Sequence, residues 1–406
     1  MSAVADKTAP LADEEEQPGF LQQSWRRLRQ GELGPLPALL ALALIWAAFQ
    51  VANPNFLSPR NLSNLVSQTA AVGTISVGVV LVLLLGEIDL SVGQVSGLSA
   101  AVMTVLNVQH GVPGPIAIIV GILTGAMIGL LQGFWVTRFG VPSFIVTLAG
   151  LIGWQGALLY VLGETGTINI NDPVIIGLTG TFLSPVLGWG IGILSIVVYA
   201  ASLVVGQQRR RAAGLQAAPI GRLAVRIVIL AVAIGVAIGV LSADRGVPLA
   251  GLILVGFVVL FDLIVRRTTY GRHVFAVGGN AEAARRAGIS VNTIRLSVFV
   301  LASTLAACGG ILFASRLFAV NYSSGGGDVL IDAIAAAVIG GTSLFGGRGT
   351  VWSALLGAFV IQSIENGLDL IALPSNVKYM ITGAVLLFAV TLDAIARQGR
   401  QASGRA

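Results

Sequence analysis

Two carboxylates interrupt an otherwise apolar stretch at Leu85-Gly86-Glu87-Ile88-Asp89-Leu90-Ser91-Val92-Gly93. Ionisable groups inside a membrane are costly and are usually functional, and a glycine-broken helix frees backbone groups that line a cavity. Glu87, Asp89, Ser91 and Gly93 are therefore expected at a gate or along a path for a polar solute. The competing reading is a tight turn between two helices, with both acids wet. A second interruption stands in the other half of the chain: Asp328 and Asp332, then Gly340-Gly341-Thr342-Ser343-Leu344-Phe345-Gly346-Gly347-Arg348-Gly349. A phosphate loop needs Lys and then Ser or Thr after the second glycine of Gly-x-x-x-x-Gly. Counted from Gly341, Gly347 and Arg348 occupy those places, and the only lysines, Lys7 and Lys378, lie elsewhere. Gly340, Gly341, Thr342 and Ser343 are expected as backbone beside a pore, in a chain that hydrolyses no nucleotide itself. The two interruptions fall in opposite halves and hint at an internal repeat.

A third constellation is polar and long. Residues 266–293 carry Arg266, Arg267, Arg272, Arg285 and Arg286 around Gly278-Gly279-Asn280-Ala281-Glu282-Ala283-Ala284-Arg285-Arg286-Ala287-Gly288. Asn280 is a good N-cap, Glu282 suits the positive start of a helix, Arg285 and Arg286 suit its end, and Gly288 supplies the stop. Connections in helical bundles run about 2–8 residues, so a loop with its own capped helix is read as a docking element for a partner. The plain alternative is a surface loop anchored to headgroups.

Catalytic signatures are missing. The histidines are His110 and His273, with no His-Glu-x-x-His and no Gly-x-Ser-x-Gly. The single cysteine, Cys308, cannot form an intramolecular disulfide or a cysteine-based metal site. Asn64, Gln68, Gln132, Gln155, Gln362, Glu365 and Asn366 could hydrogen-bond a hydroxylated solute, but such residues are more often glue between helices.

The elements that must hold these residues follow from composition. Of 406 residues 55% are hydrophobic and 10% are charged, less than half the roughly 25% charge of a soluble domain. A soluble enzyme and a nucleic-acid-binding domain are both excluded as readings. The 52 glycines suit helices that associate in lipid through small residues. Runs such as Ile116 to Leu131 stay apolar throughout instead of alternating, which argues for helices over a β-barrel. The expected fold is an all-α polytopic bundle with broken or re-entrant helices. It has about twelve spans, with 10–12 compatible, near 34–52, 65–85, 90–107, 114–136, 144–162, 188–206, 223–242, 247–265, 294–316, 328–345, 350–369 and 377–395. The third and tenth are the weakest.

With the N-terminus in the cytoplasm, the outer side keeps only Arg60, Arg245, Arg316 and Lys378 of the 24 Lys and Arg. That positive-inside bias places both termini in the cytoplasm and explains the +6 net charge without a nucleic-acid partner. Residues 1–33, with the acidic run Asp13–Glu16 and then Arg26, Arg27 and Arg29, form a polar tail and not a secretory signal. Residues 34–395 are the membrane domain and 396–406 a second cytoplasmic tail.

Four strings resemble one family. Gly86–Gly93, Gly140-Val-Pro-Ser-Phe-Ile-Val-Thr-Leu148, Tyr270–Ile289 and Val338–Gly349 are similar to the permease subunits of bacterial ABC importers for monosaccharides, the ribose/xylose group. The likeness runs from about residue 35 to 395. The stretch 188–265, with Arg209–Arg211 and the Asp244-Arg245-Gly246-Val247-Pro248 connection, resembles the xylose-type members, which points to D-xylose or a related sugar. One departure is Glu87, where the family pattern more often has Gly.

The resemblance implies a chain in the bacterial inner membrane that pairs with a second copy and is surrounded by lipid. An extracytoplasmic sugar-binding protein delivers the solute. Separate ATPase subunits use ATP and engage Gly278, Gly279, Asn280, Glu282, Ala283, Arg285, Arg286 and Gly288, so no cofactor belongs to this chain. Two other readings stay open: a branched-chain amino acid permease on the same scaffold, and an ion-coupled transporter using Glu87, Asp89 or Glu365.

Overall fold

The computed structural model describes residues 36–216, 219–385, 387 and 391. The tails expected at 1–33 and 396–406, and part of the span expected at 377–395, lie outside the described residues. The helices are α1 (Leu36–Ala52), α2 (Pro59–Leu84), α3 (Val92–Val108), α4 (Gly114–Arg138), α5 (Ser143–Leu162), α6 (Pro173–Gly180), α7 (Pro185–Ala212), α8 (Ile220–Ser242), α9 (Leu249–Arg267), α10 (Thr269–Gly279), α11 (Ala281–Arg286), α12 (Val291–Leu317), α13 (Asp328–Ile339) and α14 (Trp352–Leu370). Residues 375–385 are also helical. A 3-10 turn (Gly163–Thr165) and four short strands complete the described elements: β1 (Thr167–Asn169) pairs antiparallel with β4 (Ala319–Asn321), and β2 (Phe182–Leu183) with β3 (Val247–Pro248). The chain is an α-helical membrane bundle.

Seven helices, α2, α4, α5, α7, α8, α9 and α12, are long and apolar enough to cross a membrane. The expected count of twelve is not confirmed. The span expected at 328–345 is corrected: α13 has 12 residues and stops at Ile339, about 18 Å of helix against a hydrocarbon thickness of about 30 Å. It stops because Gly341 turns to φ +100° while its N–H donates to the Val338 carbonyl at 2.8 Å. Helix α14 is less apolar because it carries Gln362, Glu365, Asn366 and Asp369. Two helices start earlier than their apolar runs. Ser58 caps α2 through Asn61 N–H and Ser184 caps α7 through Leu187 N–H, each followed by a proline in the first turn.

Helix α2 is the centre of the body, with 89% of its apolar window buried, whereas α8 buries 6%. Lipid offers no hydrophobic drive for association, so close contact of small residues holds the body together. Gly121, Gly125, Gly129 and Gly133 form an i, i+4 stripe on α4, the last three against α12 and Gly121 against Ser99 and Met103 of α3 as well as Ile311 of α12. A Cβ on Gly125 would stand 2.5 Å from the Ser303 carbonyl oxygen, and one on Gly129 2.5 Å from that of Phe299.

The connections sort into two ends. At one, the end of α2 meets the starts of α5 and α12 and the residue 340–349 loop, with Asn292 Nδ2 donating to the Thr137 carbonyl at 3.3 Å. At the other, Asn53 Nδ2 donates to the Leu370 carbonyl at 2.9 Å, Arg245 to Asn64 Oδ1 at 2.9 Å, and Gln155 Nε2 to the Tyr322 carbonyl at 3.1 Å. The first end carries Arg138, Arg272, Arg285, Arg286, Arg295 and Arg348, and is the basic end of the molecule.

Candidate functional site

Three of the sequence constellations meet at the basic end. Helix α10 folds back under α9 through Gly271, where a Cβ would lie 1.9 Å from the Val265 carbonyl oxygen. It is held on α12 by a hydrogen bond of 2.9 Å between the Tyr270 and Ser297 hydroxyls and by the buried Val274 and Val277. Its last turn then reaches the end of α2. A Cβ on Gly278 would stand 1.8 Å from the Leu84 carbonyl oxygen and 2.9 Å from Gly347 N. The same Leu84 carbonyl accepts Gly347 N–H at 2.9 Å. Gly346, at φ +82°, would place a Cβ 2.6 Å from the Gly278 oxygen and 2.8 Å from Gly86 N. Backbone touches backbone on three sides, which only glycine permits.

Beyond this junction lies α11, the helix expected from its capping residues. Asn280 Oδ1 accepts Ala283 N–H at 2.9 Å, and Gly288 at φ +83° ends the helix. Ala284 is buried, while Glu282, Ala283, Arg285 and Arg286 point outward. Glu282 pairs with Arg285 at 2.9 Å and with Arg286 at 3.2 Å. All three side chains are more than half exposed, so these pairs add little stability and are free to exchange for pairs with a partner.

The acids of the first interruption part company. Glu87 forms an ion pair of 2.9 Å with Arg295 at the start of α12, with side-chain exposures of 14% and 29%. Asp89 is buried, and its Oδ1 accepts Ser91 N–H at 2.8 Å and the Ser91 hydroxyl at 2.7 Å. Gln132 Nε2 donates to Ser91 Oγ at 2.8 Å. Thr147 Oγ1 takes the Leu90 N–H at 3.1 Å. This region is a knot that ties the break between α2 and α3 onto α4 and α5.

The second interruption does not act as one unit. Asp332 is buried on α13 and faces Glu365 on α14, which also accepts Gln362 Nε2 at 2.6 Å. Gly340 is set against α14, where a Cβ would lie 1.9 Å from the Ser353 carbonyl oxygen, and Thr342 is buried beside Gly349. Ser343 N–H closes the loop onto the Arg348 carbonyl at 3.0 Å. The glycine run thus touches both the junction, through Gly346 and Gly347, and α14, through Gly340. Of the polar residues with two readings, Asn366 is glue: its Oδ1 accepts Asn61 Nδ2 at 2.8 Å and its Nδ2 donates to Gln68 Oε1 at 3.2 Å.

Nearer the other end, a cavity of about 230 Å³ opens between α3, α12 and residues 319–325. Its polar lining is Ser96, Asn321, Ser323 and Ser324, and none of the eight residues expected along the path lines it. Gly93 and Gly97 of α3 press on this same loop, with Cβ positions 2.5 Å from the Gly325 and 2.0 Å from the Ser324 carbonyl oxygens. Tyr322-Ser-Ser-Gly-Gly-Gly-Asp328, a polar run directly after an apolar helix, was the sequence signal for this wall. Like the break after α2, this break after α12 joins a long helix to a shorter one through a glycine-bearing segment.

Comparison with known proteins agrees with this anatomy. Residues 61–390 match the family described as "Branched-chain amino acid transport system / permease component". The chain is 38% identical over 367 residues to the xylose transport system permease protein XylH of Escherichia coli (strain K12), covering 89% of this chain and 91% of that one. It is 36% identical over 356 residues to XylH of Haemophilus influenzae, covering 87% and 94%. It is 31% identical over 362 residues to the ribose import permease protein RbsC of Bacillus subtilis, covering 89% and 92%. No solved structure matches the chain. With the family pattern running through nearly all of its helices and relatives matched almost end to end, the chain belongs to this family of ABC-transporter permease components.

Proposed function

We propose that this chain is the membrane-spanning permease subunit of a binding-protein-dependent ABC importer for a monosaccharide, D-xylose or a close relative. The end-to-end likeness to xylose permeases at 38% identity supports the solute class. Both termini lie in the cytoplasm, two copies form the translocation unit, and ATP is used by separate ATPase subunits. An extracytoplasmic sugar-binding protein delivers the solute at the end opposite the basic one.

The observation that carries the mechanism is the glycine junction. An ATPase subunit grips α11 through Glu282, Arg285 and Arg286. Motion of α11 passes through Gly278 and Gly279 to the Leu84 carbonyl and the Gly346–Gly347 backbone, where contacts are too close to absorb it. Leu84 ends the most buried spanning helix, so displacement there reaches the centre of the body. Switching between outward and inward access requires contacts that differ between the two states, and the partly exposed Glu87–Arg295 pair, outside the rigid junction, is the candidate for one.

The test is ATP-dependent uptake in vesicles holding this chain with its ATPase subunits and binding protein. Xylose uptake that leucine does not inhibit is expected. Glu282→Lys abolishes uptake while leaving the purified permease as thermally stable as the parent. Leucine uptake indifferent to xylose would establish the second reading, a branched-chain amino acid permease, which the wording of the family description favours. Uptake driven by an ion gradient without ATPase subunits would overturn the ABC reading.

A further inference from the structure

The hairpin of α7 and α8 stands apart from the rest of the molecule. The buried residues of α7 are Gly188 and Gly192, and those of α8 are Ile238 and Leu241. All four lie near the β2–β3 end, so the hairpin is anchored there and stands off the body towards the basic end. Val197, Val198, Val204, Val205, Val228 and Val232 are each more than 40% exposed. At Gly206, Gly214 and Gly221 nothing lies within 4 Å of an added Cβ.

The free end of this hairpin is strongly basic. Helix α7 has 28 residues, about 42 Å long, and overhangs a hydrocarbon core of about 30 Å by roughly two turns. Arg209, Arg210 and Arg211 occupy that overhang, and Arg222 and Arg226 stand one turn apart on α8. From residue 173 to 243 the chain has no Asp or Glu, and none of these arginines is in a salt bridge among the described residues. The α7 arginines suit the negative end of their helix. Arg222 and Arg226 lie at the positive end of theirs, where the fold itself offers their charge no compensation.

We propose that the basic end of the α7–α8 hairpin is a binding site for anionic phospholipid, with Arg209, Arg210, Arg211, Arg222 and Arg226 holding the headgroup phosphate and the exposed valine-rich flanks receiving the acyl chains. Guanidinium groups pair with phosphate through parallel hydrogen bonds, and a cluster of four to eight basic residues beside a spanning helix is what recognises acidic headgroups. Apolar side chains directly above the arginines favour a lipid over free phosphate, since a soluble anion leaves them unused.

The experiment is native mass spectrometry of the full chain in detergent, with phosphatidylglycerol and phosphatidylcholine supplied at equal concentration. The expected result is about tenfold preferential retention of phosphatidylglycerol. The set R209Q, R210Q, R211Q, R222Q and R226Q loses the preference, and the matching Arg→Lys set, which preserves the orienting charges but not the bidentate fork, retains a preference smaller than the parent's. If the Gln set does not insert, the parent chain still decides: raising salt from about 0.05 M to about 0.5 M must release the lipid, because exposed charges are screened within about 10 Å at 0.1 M. Equal retention of both lipids, retention indifferent to salt, or displacement by millimolar inorganic phosphate would each overturn the site. So would a dimer in phosphatidylcholine alone whose interface covers residues 193–235.

Discussion

The glycine junction and the α7–α8 hairpin are made of the same materials, apolar helices rich in glycine with arginines at one end, yet they obey opposite rules. At the junction an added Cβ on Gly278 or Gly346 would collide with backbone at 1.8 Å and 2.6 Å. In the hairpin Gly190, Gly206, Gly221 and Gly239 have nothing within 4 Å. Glycine at the junction is a requirement of close approach; in the hairpin only Gly188 and Gly192, near its anchored end, are so placed, and those four mark only an absence of side chain. The arginines differ likewise: Arg295 is paired inside the body with Glu87, while Arg209–Arg211 face outward. Backbone at the first region has no slack, whereas the outward faces of the second carry no such constraint.

The contrast breaks most sharply at Gly278. Gly278→Ala is expected to cost about 1–3 kcal/mol through overpacking and to cut uptake at least tenfold, measured by thermal unfolding in detergent and by vesicle transport. If both are unchanged, the junction does not transmit.

A smaller loss is expected at the ion pair. Glu87→Ala and Arg295→Ala, with the double variant, should give a coupling energy of about 0.5–3 kcal/mol, since the pair is neither fully buried nor fully exposed. Additive effects on stability would show that the pair does not bind the α2–α3 break to α12.

Next comes Asp172, at the end opposite the junction. It caps α6 by accepting Val174 and Ile175 N–H at 2.8 and 3.2 Å, and also accepts Asn107 Nδ2 at 3.0 Å and Gly114 N–H at 3.2 Å. Partial burial pushes its carboxyl up, but these donors outweigh that and hold it below the usual carboxylate range. A depressed folded-state value means stability that is present above the unfolded-state value of about 3.9 and lost as pH falls through the folded one. Asp172→Asn should flatten the acid limb of thermal stability below about pH 4, and Asp172→Ala should cost about 1 kcal/mol at neutral pH. An unaltered acid limb would remove this role.

The smallest effect belongs to the hairpin. Gly206→Ala and Gly239→Ala should raise stability by about 0.5–1 kcal/mol or less, because alanine is the better helix former and meets no neighbour. A loss as large as that of Gly278→Ala would end the distinction between the two regions.

Much of this was legible in the chain. The apolar runs placed most of the helices, and Asn280, Glu282 and Gly288 marked the start, first turn and stop of α11. The expected span at 328–345 failed because the apolar run Ala335–Ile339 looks continuous with Leu344 and Phe345, while the turn at Gly341 is a matter of φ alone. The relation between the two interruptions was not legible in the same way. Glycine-rich strings in opposite halves suggested a repeat between residues 85–93 and 328–349. What the fold shows is Gly86 brought against Gly346, a contact between the two interruptions that local sequence does not carry. The cavity wall at Asn321, Ser323 and Ser324 was signalled only by a polar run of ordinary loop composition.

By itself the sequence determined a helical membrane protein with a polar, capped helical segment between apolar runs. It did so because burial in lipid and helix capping are local demands on residue type. Only the tertiary structure decided that Gly278, Leu84 and Gly347 share one point, that Glu87 pairs with Arg295 while Asp89 is occupied by Ser91, and that one hairpin packs on the body only near one end. Those are relations between segments up to some 260 residues apart, fixed by which helices approach closely enough to exclude a side chain.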